Sequence, residues 1–491
     1  MRRLCRILLT LALSLLLPAA ACAQTRALLV ACTDFVTQPN LGNTASGNLQ
    51  MIGSALLGAQ PRLSALSIED GTVGTEEALQ SAIESTFGEA TEQDLSILYL
   101  CTHGVLASAD DAQVYLLLGD GETETPLSAA RLYAMVSDIQ GEKLLILDAC
   151  YSGALLGRDA PRPGRLPGAR EEGKPSVSPF LSDPSVHVLA SAGSREAGWY
   201  YDSDQLATGA VSYFASALST GLGLYGTVEA DVNGDGALTL RELHEYLRAA
   251  VPSSTSQLLS CRADTLTLPA AQGMMLSRPL TGFTYGTSLL SADDPTLAFS
   301  FTVAQETAVQ YRLIEFGERG WDWNGAVSFL DGAEGDAPLK PGRRQRSLTL
   351  PSVEPGDSGY LMLQVFALCG DEVILCSERL IAVQGDAAQS ALSLSCPGAF
   401  ARPGASELPV CVSLSVPAEL TVSVYDADGA LVRRLAQSQL TRPSKDGVTR
   451  LYWDGRDAQG DALPDGGYVI AVETSVGGER LKATADVRFG Q

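Results

Sequence analysis

Positive charge is scarce in this chain. Lysines and arginines number 34 against 57 aspartates and glutamates, a formal net charge of −23. Such a surface repels a phosphate backbone, and no long basic run offers a face for one, so no nucleic-acid partner is expected. An acidic surface suits a soluble protein that binds cations. Long apolar runs are equally rare. Beyond residues 7–17 no stretch approaches the ~18 apolar residues of a membrane-spanning helix. Histidine is scarcest, with three in 491 residues. Any role for imidazole therefore falls on His103, His187 or His244. His187 lies within an apolar strand-like run, as core residues do. His244 lies on a helical segment and is expected at the surface.

The N-terminus has the form of an export signal. Arg2, Arg3 and Arg6 precede an apolar core, Ile7 to Leu17, and then Pro18 and small residues. Cleavage after Ala23 fits the small-x-small form of Ala21-Cys22-Ala23. Alternatively, Ala19-Ala20-Ala21-Cys22 resembles a lipoprotein signal in which Cys22 is acylated, although the usual Leu three residues earlier is absent. The expected location is extracellular or cell-surface, with membrane contact only through a lipid on Cys22. Export permits disulfides, and ten cysteines are present. Cys369 and Cys376 flank a turn, and Cys396 and Cys411 flank a Pro/Gly-rich loop, so each pair is a candidate bridge.

Domains usually hold ~100–200 residues, so this length implies two to four. From residue 25 to about 275, apolar runs alternate with helical patterns. Strands are expected at Ala27–Cys32, Leu63–Ile68, Leu95–Thr102, Lys143–Leu147 and Val186–Ala190. Helices are expected at Asn48–Leu57, after a Thr75 cap, at Leu127–Ile139 and at Gly209–Leu218. Such alternation implies an α/β unit with a mostly parallel sheet. Between Gly153 and Val186 the pattern gives way to a Pro/Gly/Arg-rich loop. Residues 281–385 and 390–491 show period-2 runs between Gly, Pro and Asp turns, the texture of two all-β sandwiches.

Two apolar strands end in chemistry. Leu95–Cys101 runs into Thr102-His103-Gly104, and Leu144–Leu147 into Asp148-Ala149-Cys150-Tyr151-Ser152-Gly153. Ligands of an open parallel sheet bind beyond the carboxyl ends of its strands, so His103 and Cys150 can face one crevice. A free thiol is a weak nucleophile that an imidazole activates, and the same imidazole protonates a leaving amine. Gly104 allows close substrate approach and offers a backbone N–H to an oxyanion.

These paired motifs resemble the caspase, metacaspase and clostripain group of cysteine peptidases, over roughly residues 25–250. His103 precedes Cys150 by 47 residues, near the spacing of about 50 in caspases. The resemblance implies a caspase-like α/β fold, a His103–Cys150 dyad and protein or peptide substrates. In metacaspases the acid two residues before the catalytic Cys selects Arg or Lys, and Asp148 matches it. Asn48 stands where a second pocket acid is common, which leaves a clostripain-like pattern open. Aspartate specificity would need a pocket Arg, and none lies near these motifs.

Asp231, Asn233, Asp235, Gly236, Ala237, Thr239 and Glu242 fit the twelve-residue EF-hand loop at every ligand position, so Ca2+ is the expected cofactor. In the last domain, the hairpin Val424–Val432 with its Asp428-Gly429 turn and the run from Trp453 to Tyr468 resemble the immunoglobulin-like domain of the flagellar hook-capping protein. Trp321 and Trp323 fit either strand aromatics or a sugar- or peptide-binding platform. Together these features lead to an expected calcium-dependent endopeptidase that cleaves after Arg or Lys. It would process itself at Arg158, Arg165 or Arg170 in the extended 154–185 loop. The alternative is a non-catalytic surface protein built on a caspase-like scaffold.

Overall fold

The computed structural model describes residues 23–106, 113–158, 178–202 and 210–490, apart from 319, 332–337, 351–357, 370–371, 386–390, 401–405 and 445. The expected export signal lies almost wholly outside them.

Six strands form the principal sheet: β1 (Thr25–Ala31), β2 (Ala65–Asp70), β3 (Leu95–Cys101), β4 (Glu142–Asp148), β5 (Val186–Ala190) and β6 (Gln257–Leu259). Their spatial order is β6-β5-β4-β3-β1-β2. The first five are parallel, and β6 closes one edge antiparallel. Strands β1, β3, β4 and β5 are apolar at most positions because both faces are covered. Five helices cover them: α1 (Gly42–Leu57), α2 (Glu76–Phe87), α3 (Ala129–Val136), α4 (Tyr213–Gly221) and α5 (Leu240–Ala250). Leu29, Ile97 and Ile146 pack with α1, α4 and α5, through Ile52, Leu218 and Leu243. Their strand neighbours Leu28, Leu98 and Leu145 pack on the other face with Leu79 of α2 and Leu132 of α3. The period-2 alternation of the strands thus feeds two separate cores.

Caps set the helix starts. Thr75 accepts the N–H of Ala78, with Glu76 and Glu77 in the first turn of α2. Ser128 caps α3, so Leu127 ends a short strand (Glu124–Leu127) instead of opening the helix. Ser212 caps α4 in the same way, and the segment read as one helix divides into a strand, Ala210–Ser212, and α4.

Two sandwiches follow. The first packs Leu280–Tyr285, Thr296–Val303 and Gly342–Thr349 over a larger sheet centred on Ala308–Gly317, Gly359–Cys369 and Glu372–Gln384. The second closes around Trp453, which is fully buried and donates its indole N–H to the Arg456 carbonyl. Its Asp428-Gly429 turn places Gly429 at φ +82°, the left-handed region that glycine enters without strain. Neither candidate bridge is formed; all four cysteines are thiols. Cys369 lies opposite Glu372 across its hairpin, while Cys376 is buried in the first sandwich core. Cys411 pairs across strands with Ser395, the residue before Cys396.

Candidate active site

The register of β3 and β4 ends with Cys101 opposite Asp148, and the Thr102 N–H then donates to the Asp148 carbonyl at 3.2 Å. His103 and Cys150 therefore leave the same edge of the sheet at the same level. From His103 the chain enters a small antiparallel sheet of His103–Leu106, Val114–Gly119 and Glu124–Leu127. Gly104 makes the close contact. A Cβ placed on it would stand 1.7 Å from the Cys150 carbonyl oxygen, so only glycine lets the two backbones touch.

His103 is oriented from the other side. Its Nε2 lies 2.7 Å from the Pro39 carbonyl, and its ring leans on Phe35 with centroids 4.7 Å apart. A carbonyl only accepts, so Nε2 is the donor in this contact, and Nδ1 is the ring nitrogen left for acid–base chemistry. The Cys150 Sγ accepts the Gly198 N–H at 3.3 Å. Burial pushes this thiol up from its ordinary value, and the Asp148 charge adds to that, against the Gly198 N–H. Tyr151, just beyond Cys150, is left-handed at φ +58°, with its N–H on the Glu196 carbonyl at 2.8 Å.

Asp148 is buried. Its Oδ2 accepts from the Ser212 hydroxyl (2.7 Å), the Tyr99 hydroxyl (2.8 Å) and Asn48 Nδ2 (3.2 Å). Asn48 in turn accepts the Ser212 N–H at 2.9 Å. Burial raises the Asp148 pKa against the hydrogen bonds of Ser212, Tyr99 and Ser191. Asn48 and Asp148 thus share one cluster, whose hydroxyl members Tyr99 and Ser212 the sequence reading missed. Tyr99 carries a polar tip inside an apolar strand and Ser212 is a polar residue at a strand end, signals that could have marked both.

The Asp231–Glu242 loop turns at Gly234 (φ +71°) and Gly236 (φ +84°). Asp231 accepts the N–H groups of Gly234 (2.9 Å) and Gly236 (3.0 Å). Asn233 accepts that of Asp235 and Asp235 that of Ala237, each at 2.8 Å. Thr239 and Glu242 form a reciprocal capping box at the start of α5. The backbone has the turns that the twelve-residue pattern needs. Its oxygens are held by the loop's own amides and by the cap. Among the described residues no three His, Cys, Asp or Glu side chains gather as a metal cluster.

Arg165 and Arg170 lie outside the described residues. Arg158 does not, and it is no exposed cleavage point. It is 4% exposed, with Nε and Nη2 on the Glu407 carboxylate at 2.8 Å each. Further bonds reach Gln257 and the Leu258 carbonyl, and the guanidinium lies 4.2 Å above the Tyr452 ring. A side chain so engaged cannot extend into a peptidase cleft. Arg158 instead joins the α/β unit to the C-terminal sandwich. His244 also departs from expectation. It is partly buried, with Nε2 donating to the Ser256 carbonyl, and burial holds it well below its ordinary pKa. His187 is a core residue between Glu142 and Ser260. The tryptophans of the first sandwich face the α/β unit: Trp321 donates to the Pro252 carbonyl, and Trp323 stands 6.4 Å from Trp199.

Residues 3–161, which hold both His103 and Cys150, match the CHAT domain family, so this part of the chain is caspase-like and related to cysteine peptidases. Residues 403–478 match the FlgD Ig-like domain, which classes the last sandwich. Basal-body rod modification protein FlgD of Salmonella typhimurium is 38% identical over 79 residues, which is 16% of this chain and 32% of that protein; the Salmonella typhi protein of the same name matches equally. The chain thus spans about a third of the length of these curated relatives. A crystal structure of the YadV chaperone aligns over 43% of this chain and all of its own, at 10% identity and a TM-score of 0.24.

Proposed function

We propose that the chain is an exported cysteine endopeptidase that acts on protein or peptide substrates. The contact of Gly104 with the Cys150 backbone carries this reading, because it sets the strand end bearing His103 against the one bearing Cys150. In the reaction His103 Nδ1 takes the Cys150 thiol proton as Sγ bonds to the scissile carbonyl carbon. The Gly104 N–H is the candidate donor to the oxyanion that forms. His103 then passes the proton to the leaving amine as the C–N bond breaks. Water, deprotonated by the same imidazole, releases the acyl group and restores the thiol.

Asp148 gives the reading its specificity. Its hydrogen-bond donors are all neutral, so an incoming Arg or Lys side chain would supply the missing positive charge. Asn48 shapes the same pocket. The reading includes Ca2+ held by Asp231, Asn233, Asp235, the Ala237 carbonyl, Thr239 and Glu242, with a hard cation stiffening the segment before α5. It also includes self-processing at Arg165 or Arg170. The test is labelling by an irreversible thiol-directed inhibitor followed by peptide mapping. A label on Cys150 that is lost in His103→Ala supports the dyad. An unlabelled Cys150 in folded protein contradicts it.

A further inference from the structure

A cleft of about 560 Å³ lies where the α/β unit meets the two sandwiches. Five arginines line it. Arg158 is paired with Glu407 and Arg450 with Asp446, and Arg195 is exposed. The other two come from different units: Arg248 near the end of α5, and Arg442 of the C-terminal sandwich. Arg442 is 9% exposed. Its terminal nitrogens donate only to carbonyls, those of Arg248, Val251, Pro252 and Ser254, and its Nε has no hydrogen-bond partner among the described residues. Arg248 meets the Gln439 side-chain amide, whose oxygen, once turned to the guanidinium, accepts at 2.7 and 3.1 Å. Among the described residues neither arginine makes an ion pair.

The acids in the walls have hydrogen-bond partners of their own, and the Glu196 charge offsets part of that of both arginines. Glu196 accepts from the N–H and hydroxyl of Thr255 and from the Gly193 N–H, and Asp446 pairs with Arg450. Burial, with Arg442 adding to it, pushes Arg248 down to about 9, low for a guanidinium, against the opposing charges of Glu245 and Glu196. Two like charges drawn together in a partly dry cleft are costly unless a negative charge offsets them. The aromatic side chains of Trp199, Phe316 and Trp321 complete the walls, beside a Tyr452 ring that carries Arg158. An inorganic anion would leave those aromatic faces unused.

We propose that this cleft binds an acidic peptide segment, with a carboxylate between Arg248 and Arg442 and an adjoining apolar side chain on the aromatic wall. The loop forming one side of the cleft reaches the nucleophile. Its Glu196 carbonyl holds the Tyr151 N–H, and its Gly198 N–H meets the Cys150 Sγ. A bound segment therefore contacts the loop that positions Cys150.

The test measures binding alone, so it stands apart from the peptidase reading. Full-length Cys150→Ala protein is titrated with a fluorescent peptide that places Glu and Asp beside Leu and Phe. A matched Gln/Asn peptide and inorganic phosphate serve as controls. Saturable binding is expected, weakening with added salt and at least about tenfold weaker for the Gln/Asn peptide. Arg248→Gln should weaken it by a similar factor at an unchanged melting temperature. Arg442→Gln is a poorer probe, because Arg442 also ties the end of α5. Absence of binding up to about 1 mM, equal binding of the two peptides, or binding indifferent to Arg248→Gln would overturn the proposal. Phosphate competing at concentrations like the peptide's would overturn the peptide assignment.

Discussion

Cys101 and Asp148 are cross-strand partners at the last rung of β3 and β4. The Asn48 amide touches both, at 3.3 Å from Cys101 Sγ and 3.2 Å from Asp148 Oδ2. That rung is the floor of the candidate site. Two residues past each partner come His103 and Cys150, and on the rung itself sits the buried carboxylate proposed to meet the substrate.

Replacing that carboxylate should separate binding from chemistry. Asp148→Ala is expected to lower kcat/KM for peptides with Arg or Lys before the scissile bond by at least about tenfold relative to neutral ones, since a desolvated charge pair is lost. Matched peptide pairs on folded protein give the ratio. An unchanged ratio would remove Asp148 from the pocket.

The C-terminal sandwich should stabilise the α/β unit through one buried pair. Glu407→Ala leaves Arg158 buried with its charge uncompensated, which costs about 3–5 kcal/mol. Urea unfolding of the full chain measures this directly. A loss under about 1 kcal/mol, the range of exposed pairs, would show that the pair is open to solvent.

Stability should also depend on pH through Glu378. Burial pushes this carboxyl up to about 8, with Gln364 as its hydrogen-bond donor at 2.8 Å. Its ordinary value is 4.5. Between those values the folded state holds a proton that the unfolded chain has released. Stability therefore falls as pH rises through that window and levels off above about 8. Glu378→Gln should flatten the slope, raising the melting temperature at pH 8.5 by a few degrees relative to wild type. Parallel melting curves for the two proteins from pH 5 to 8.5 would contradict the assignment.

Calcium should raise the melting temperature in proportion to ln(1 + [Ca2+]/Kd), and Asp231→Ala should abolish the rise. Thermal melts with millimolar calcium and with chelator provide the comparison. An equal rise in wild type and variant would place any bound calcium elsewhere.

The sequence was informative where the signal is local. Apolar runs that pass into Thr102-His103-Gly104 and Asp148-Ala149-Cys150 mark two strand ends, and the strands do end there. The Asp-Gly turn and Trp453 did the same for the last sandwich. Thr75, with acids in the turn that follows, announced α2, whereas α1 begins without a side-chain cap and its start was placed too late. What stayed hidden depends on partners far along the chain. Arg158 looked like part of an exposed loop because its composition matches one, and its counter-charge Glu407 is 249 residues away. His244 looked exposed because it lies on the helix after the Asp231–Glu242 loop, and its partner, the Ser256 carbonyl, comes from the segment beyond that helix. Tyr99 and Ser212 join Asp148 through register and fold, which spacing alone does not report.

The most direct measurement is a peptide-library cleavage assay on full-length wild type, Cys150→Ala and His103→Ala, each checked for folding and run with and without calcium. The account predicts cleavage after Arg or Lys by wild type and none by Cys150→Ala. His103→Ala should be slower by several powers of ten, because nucleophile and base act as a unit. Cleavage near the wild-type rate by either variant would contradict it.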